Sequence, residues 1–169
     1  MAQLDTTAVA MVDAPAEEVY AALTDYESFR PGLLTAQFTD YQVRSGGHGA
    51  GTEVCWKMQL GQKKRERRRW QPWDCRVLVE EPGGNRLVER DANTGLVTEW
   101  SLHPGDAGRC AVRVTATWQG PDGAAGLLER PRQRLAMRQV YERMLTKLHE
   151  HFAPPEPDED EDEDADQPN

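Results

Sequence analysis

The sequence predicts an α+β domain: a curved antiparallel sheet of about seven strands closed around one long C-terminal helix, with two short helices after the first strand. Three observations carry this reading. From about Arg132 to Phe152 the apolar residues Met137, Val140, Tyr141, Met144, Leu145, Leu148 and Phe152 fall on one stripe of a helix, with Gln139, Glu142, Arg143, Thr146, Lys147 and Glu150 off it. Between Ala36 and Trp118 the hydrophobic period changes to two, and turn signals recur at one strand's length. Near the N-terminus, a β-prone run is followed directly by a helix-initiating segment.

Taken in order, Thr6 to Val12 reads as the first strand. In DAPAEEVYAALTDYESFRPG, Pro15 suits the first position of a helix, and Glu17 and Glu18 sit where the helix dipole favours acids. A break near Thr24-Asp25 predicts two short helices rather than one. Phe38 to Val43 begins the sheet. GGHGAG (46–51) then turns the chain into TEVCWKMQL, where Val54, Trp56, Met58 and Leu60 share a face. Trp73, Cys75, Val77 and Val79 share the next. After PGGN (82–85), NRLVERD is a short strand, and ANTG is a further turn. Leu96, Thr98, Trp100 and Leu102 then point one way, as do Val112, Val114, Ala116 and Trp118 after PGDAGR. This is an antiparallel meander with one wet and one apolar face. GPDGAAG loosens the chain, and Pro131 either opens the last helix or kinks it. A helix of 132–152 would span about 31 Å at 1.5 Å per residue and needs a long apolar surface to lie on. The meander, with its inward tryptophans, supplies it.

The chain has 169 residues and a formal charge of −9. Nine acidic residues and no basic one follow Pro154, so the remainder balances at twenty of each sign. Two segments follow: a folded domain over 1–152 and an acidic tail over 153–169, expected to be disordered because its like charges repel and nothing in it could join a core. The odd, widely spaced Cys55, Cys75 and Cys110 read as free thiols rather than a disulfide framework. No signal peptide or apolar span is visible, and the expected location is cytoplasmic.

The order of elements, together with two stretches, resembles the START-related helix-grip superfamily called SRPBCC, and within it the polyketide cyclase/dehydrase-like branch. The stretches are VDAPAEEVYAALTDYESF (Val12–Phe29), similar to the family's strand-to-helix opening, and the Leu127–Leu148 helix. GTEVCWKM and TGLVTEWSL fit its sheet. The resemblance covers about residues 4 to 152. It implies a hydrophobic cavity between sheet and helix, in a superfamily that includes lipid carriers, hormone-binding proteins and aromatase/cyclases, and it leaves the reaction open.

The candidate ligand-binding residues are Trp56, Met58, Trp73, Thr98, Trp100 and Trp118 on the inward sheet face and Val140, Tyr141 and Met144 on the helix. They would form flat apolar walls for a ring-containing or acyl ligand, with Trp N–H and Tyr O–H groups to orient a polar end. Filling the core is the competing role for each. Trp70 has opposite parity to Trp73 and is left out of the set. The basic run Lys63 to Arg69 reads as a solvated hairpin, a contact for an anionic partner, or a partner of the chain's own acidic tail. Nucleic acid is excluded as a partner because the domain is otherwise neutral. GGHGAG lacks the Gly-Lys-Ser/Thr ending of a phosphate loop and leads into a strand. His149 and His151 are two apart on a helix, His48 and His103 lie in or beside turns, and the cysteines show no CxxC spacing, so neither a metal nor a cofactor is expected. No nucleophile–base pair is readable. Thr98, Glu89 and Arg90 are the polar candidates on the sheet, but the sequence does not settle which face Glu89, Arg90 and Asp91 occupy.

The expected function is binding of a hydrophobic small molecule, such as a lipid or a polyketide-like or other ring-containing ligand, between sheet and C-terminal helix. The alternative is a polyketide cyclase, dehydratase or aromatase using the same cavity, with an inward acid or base moving protons. A third class is an interaction protein with a filled core, working through its basic hairpin or acidic tail.

Overall fold

The computed structural model describes residues 2–60 and 71–155. The basic run 63–69, Trp70 and the acidic segment from Glu156 lie outside the described residues. Strand β1 (Gln3–Val12) leads into helix α1 (Ala16–Thr24) and a single turn, α2 (Arg30–Leu33). Six strands follow: β2 (Phe38–Ser45), β3 (Glu53–Met58), β4 (Trp73–Glu80), β5 (Arg86–Asp91), β6 (Val97–Pro104) and β7 (Cys110–Gln119). The long helix α3 (Gly123–Phe152) closes the domain. The sheet is antiparallel throughout with the order β1-β7-β6-β5-β4-β3-β2, so the first strand pairs with the last and the other five form a meander. No helix among the described residues is long and apolar enough to cross a membrane.

Alternation builds the core as the pattern predicts. Val54, Trp56 and Met58 on β3, Cys75, Val77 and Val79 on β4, Thr98, Trp100 and Leu102 on β6, and Val112, Val114, Ala116 and Trp118 on β7 are all buried. Their outward neighbours form ion pairs across strands: Arg76–Glu53 at 3.0 Å, Arg86–Glu99 at 2.7 Å and Arg90–Glu80 at 2.9 Å. Such exposed pairs are screened by solvent and add little to stability. Near the other edge, two register shifts in the β2–β3 ladder, at Thr39/Gln42 and Val43/Ser45, bend β2.

Helix α3 buries Met137, Val140, Tyr141, Met144, Leu145 and Leu148 and packs mainly along β1. It begins earlier than the hydrophobic stripe indicates. Pro131 neither opens it nor ends it but lies within it, and the full 30 residues span about 45 Å. The lead-in carries Leu127 and Leu128 exposed, so no apolar stripe announces it, and it is tied down by Arg130, whose Nε and Nη2 donate to the Pro121 carbonyl at 3.2 and 3.1 Å. Strand β1 also starts earlier than expected, at Gln3, adding the buried Leu4 to the inward face.

Candidate functional site

The site starts from the turn after α1. Asp25 closes it: its Oδ1 accepts from the backbone N–H of Glu27 at 3.1 Å and of Ser28 at 2.8 Å, and its carbonyl accepts from Arg30 N–H at 2.8 Å. The GGHGAG loop braces the same turn, with Tyr26 N–H donating to Gly47 O at 2.9 Å and Gly49 N–H to Thr24 O at 3.0 Å. Gly46 is required in that loop. Its φ is +74°, and an added Cβ would lie 2.8 Å from Thr52 Cα. The glycines therefore shape a support for the turn. The turn in its place sends Tyr26 and Arg30 into the interior, where they are 0% and 2% exposed.

Glu89 meets them from the sheet. On β5 the inward positions are Leu87, Glu89 and Asp91, while Arg90 is exposed and paired with Glu80. Asp91 belongs to the β5–β6 turn: it accepts from Arg76 N–H at 2.8 Å, Asn93 N–H at 3.1 Å and the Thr94 hydroxyl. Glu89 reaches further in. It stands opposite Thr98 on β6, which stands opposite Ala116 on β7 and then Thr6 on β1, so a partly polar row crosses the apolar face of the sheet.

At the centre of the site, Arg30 Nη2 forms a buried ion pair with Glu89 Oε1. Tyr26 donates its hydroxyl to the same oxygen at 2.8 Å, and Trp100 Nε1 donates to Oε2 at 3.1 Å. The guanidinium lies over the rings of Trp100 and Tyr26, 4.7 and 5.1 Å from their centroids. Tyr141 comes down from α3, shares a 2.7 Å hydrogen bond with Thr98 Oγ1 and meets Trp100 edge-on with centroids 6.0 Å apart. On the other side, Tyr41 donates to Tyr26 O at 2.6 Å and stacks on Trp56 at 6.1 Å.

Among the described residues, two buried N–H groups lack a nitrogen or oxygen partner: Arg30 Nη1, and Trp56 Nε1, which lies beside the Cys75 thiol. Leaving a buried donor unsatisfied costs about 1–3 kcal/mol. The surroundings hold the phenols neutral. Burial, and then the negative charge of Glu89, pushes Tyr26 well above its ordinary value. Burial pushes Tyr141 up against the opposing effect of the Thr98 hydrogen bond, and raises Tyr41 to about 12. Burial alone would lower Arg30, but Glu89 beside it reverses the direction, so the guanidinium stays charged. The arrangement is a fixed cation and three neutral phenols, set in aromatic walls. It can donate to an acceptor.

A profile of the family described as polyketide cyclase/dehydrase and lipid transport matches residues 3–153. The chain belongs to that family. Among solved structures, the KanY protein is 31% identical, with a TM-score of 0.76 and coverage of 90% of this chain and 99% of its own. A protein of Thermus thermophilus is 20% identical, with a TM-score of 0.70 over 88% of this chain and 97% of its own. The Zhui aromatase/cyclase from Streptomyces sp. R1128 is 13% identical, with a TM-score of 0.69 over 89% and 94%, a likeness of fold alone. No curated protein matches the sequence.

Within this polyketide cyclase/dehydrase-like domain, the candidate residues fall into groups. Thr98, Trp100 and Tyr141 meet around Glu89 and Arg30. Trp56 is buried beside Tyr41 and Phe38; Met58 is buried opposite the half-buried Trp73. Val140 and Met144 are buried on α3. Trp118 lies apart, opposite Leu4, with its indole N–H donating to Gln133 Oε1 at 3.3 Å. The residues that sequence reasoning missed are Arg30, Tyr26 and Tyr41. Arg30 stands next to Pro31 in a one-turn helix with no periodicity to assign it a face.

Proposed function

We propose that this chain binds an apolar small molecule, ring-containing or acyl, between the inward face of the sheet and α3, with Arg30 as its polar anchor. One observation carries this reading: a fully buried guanidinium, charge-balanced by Glu89 and faced by Trp100 and Tyr26, keeps one N–H without a partner inside an aromatic interior. Folding alone gives no return for that vacant donor, whereas a ligand acceptor would satisfy it. Membership of a family described partly by lipid transport, and the fold shared with an aromatase/cyclase, support the same use of the space. Native mass spectrometry of the purified protein is the test. A co-purified apolar molecule, or uptake of an apolar fluorescent probe lost in Arg30→Gln, is expected; a bare mass with no probe uptake would refute binding.

A second reading, cyclase or dehydratase chemistry in the same space, is favoured by the same donors. Arg30 N–H and the neutral Tyr141 hydroxyl could polarise a substrate carbonyl and stabilise an enolate. Glu89 is poorly placed as the base, because Tyr26, Arg30 and Trp100 already direct donors at its two oxygens. A poly-β-ketone model compound converted to an aromatic chromophore by the protein, and not by Arg30→Gln, would establish this second reading over simple binding.

A further inference from the structure

We infer that the polar end of the bound molecule is a neutral hydrogen-bond acceptor, such as a ketone or ester oxygen, rather than a carboxylate or phosphate, and that Glu89 sets this preference. The inference rests on the binding function proposed above and specifies its ligand class.

The charges inside the domain decide between the two kinds of ligand. Among the described residues the buried charged side chains are Arg30, Glu89 and Asp91. Arg30 is the buried cation, and it is already matched by Glu89. Asp91 adds a further carboxylate, facing the Cys75 thiol. Of the nearby cations, Arg90 and Arg76 point outward and pair with Glu80 and Glu53. Lys147 donates to the backbone carbonyls of Gly32 and Leu34. Among the described residues, an incoming anion would therefore meet an interior whose formal charge is already negative, with no free buried cation, and would carry its full desolvation cost.

The vacant hydrogen-bonding capacity points the same way. Among the described residues Arg30 Nη1 has no partner and Trp56 Nε1 has only the weakly accepting Cys75 sulfur beside it, and both are donors. The two are linked through Tyr41, which stacks on Trp56 and feels the charge of Arg30. A carbonyl oxygen accepts from such groups without adding charge. A ligand whose polar end only donates would leave both unsatisfied. Glu89 thus has a role beyond holding Arg30 in place: by cancelling the guanidinium charge it turns an anion site into a carbonyl site.

The test uses 2-acetylnaphthalene and 2-naphthoate, which share a ring and differ in the polar end, with naphthalene as the acceptor-free control. Affinities are read by calorimetry on the full chain at neutral pH. Wild type should take the ketone more tightly than naphthoate. Glu89→Gln should raise naphthoate affinity about tenfold, the gain of an uncompensated cation, and so shift the ligand order towards naphthoate. Adding Arg30→Gln to Glu89→Gln should abolish that gain. Should Glu89→Gln not fold, the wild-type protein still decides. The Trp56 indole N–H, assigned with Trp56→Phe, should shift with the ketone and not with naphthalene. Tighter naphthoate than ketone binding in wild type, an unchanged ligand order in Glu89→Gln, or a bound ketone that leaves the Trp56 N–H unmoved would each overturn the inference while leaving binding intact. Failure of all three probes would instead count against the binding function itself.

Discussion

Arg30 and Glu89 are 59 residues apart in sequence and depend on each other for burial. Removing one charge strands the other in the interior. Arg30→Met or Glu89→Leu alone is therefore expected to cost about 3–5 kcal/mol in urea unfolding, whereas the double variant should recover most of that loss. The phenols around the pair make the domain sensitive to alkali. Tyr26, Tyr41 and Tyr141 bind their protons more tightly when folded than when unfolded. Their contribution is fully present below the ordinary tyrosine value of 10.0 and is lost as pH rises through the folded values, so stability should fall from pH 10 upward, for Tyr41 across the range to about 12. Tyr41→Phe should shrink that slope in a pH series of urea melts, and below pH 10 should cost about 1 kcal/mol for the hydrogen bond to Tyr26 O. None of this pairing was legible beforehand. Glu89 was a candidate with an unassigned face, and Arg30 was not a candidate, because a one-turn helix carries no period and an ion pair across 59 residues leaves no local mark.

At the scale of elements, the strands were legible because alternation is enforced residue by residue: β3, β6 and β7 bury the positions their patterns assign, and β4 does so for all but the half-buried Trp73. Boundaries were less so. Helix α3 extends back to Gly123, through Gly126 and Pro131, where propensity argues against helix and Leu127 and Leu128 stay exposed. Along α3 the roles divide. Leu148 is fully buried, and Leu148→Ala should cost about 2–5 kcal/mol of stability with little effect on ligand uptake. Tyr141 reaches the Thr98–Trp100 centre, and Tyr141→Ala should lower probe affinity more than Leu148→Ala does. Paired urea melts and probe titrations on the two variants check this, and the opposite ranking would place the ligand at the other end of the helix.

Over the whole molecule, the inward and outward faces of the sheet should differ in chemistry as well as polarity. Cys75 and Cys110 are buried; burial, and then Asp91 and Glu17 respectively, push their thiols up, away from the reactive thiolate. Cys55 lies on the outward face of β3 and is only half-buried. Timed reaction with a thiol reagent should modify Cys55 first, and Cys75 and Cys110 only when the domain unfolds. The fold was legible as a whole because its layers follow from period and turn spacing, and the family match over residues 3–153 takes in the opening Val12–Phe29 motif. The centre of the site emerges only when the turn after α1, strand β5 and helix α3 converge. On the proposed function, this convergence forms a ligand site around the vacant donor Arg30 Nη1. Titration of an apolar, carbonyl-bearing fluorescent probe into wild type and Arg30→Gln tests it most directly. Saturable uptake by wild type, weakened about tenfold or more in a folded Arg30→Gln, is the predicted result; equal uptake by the two proteins, or none by either, would contradict it.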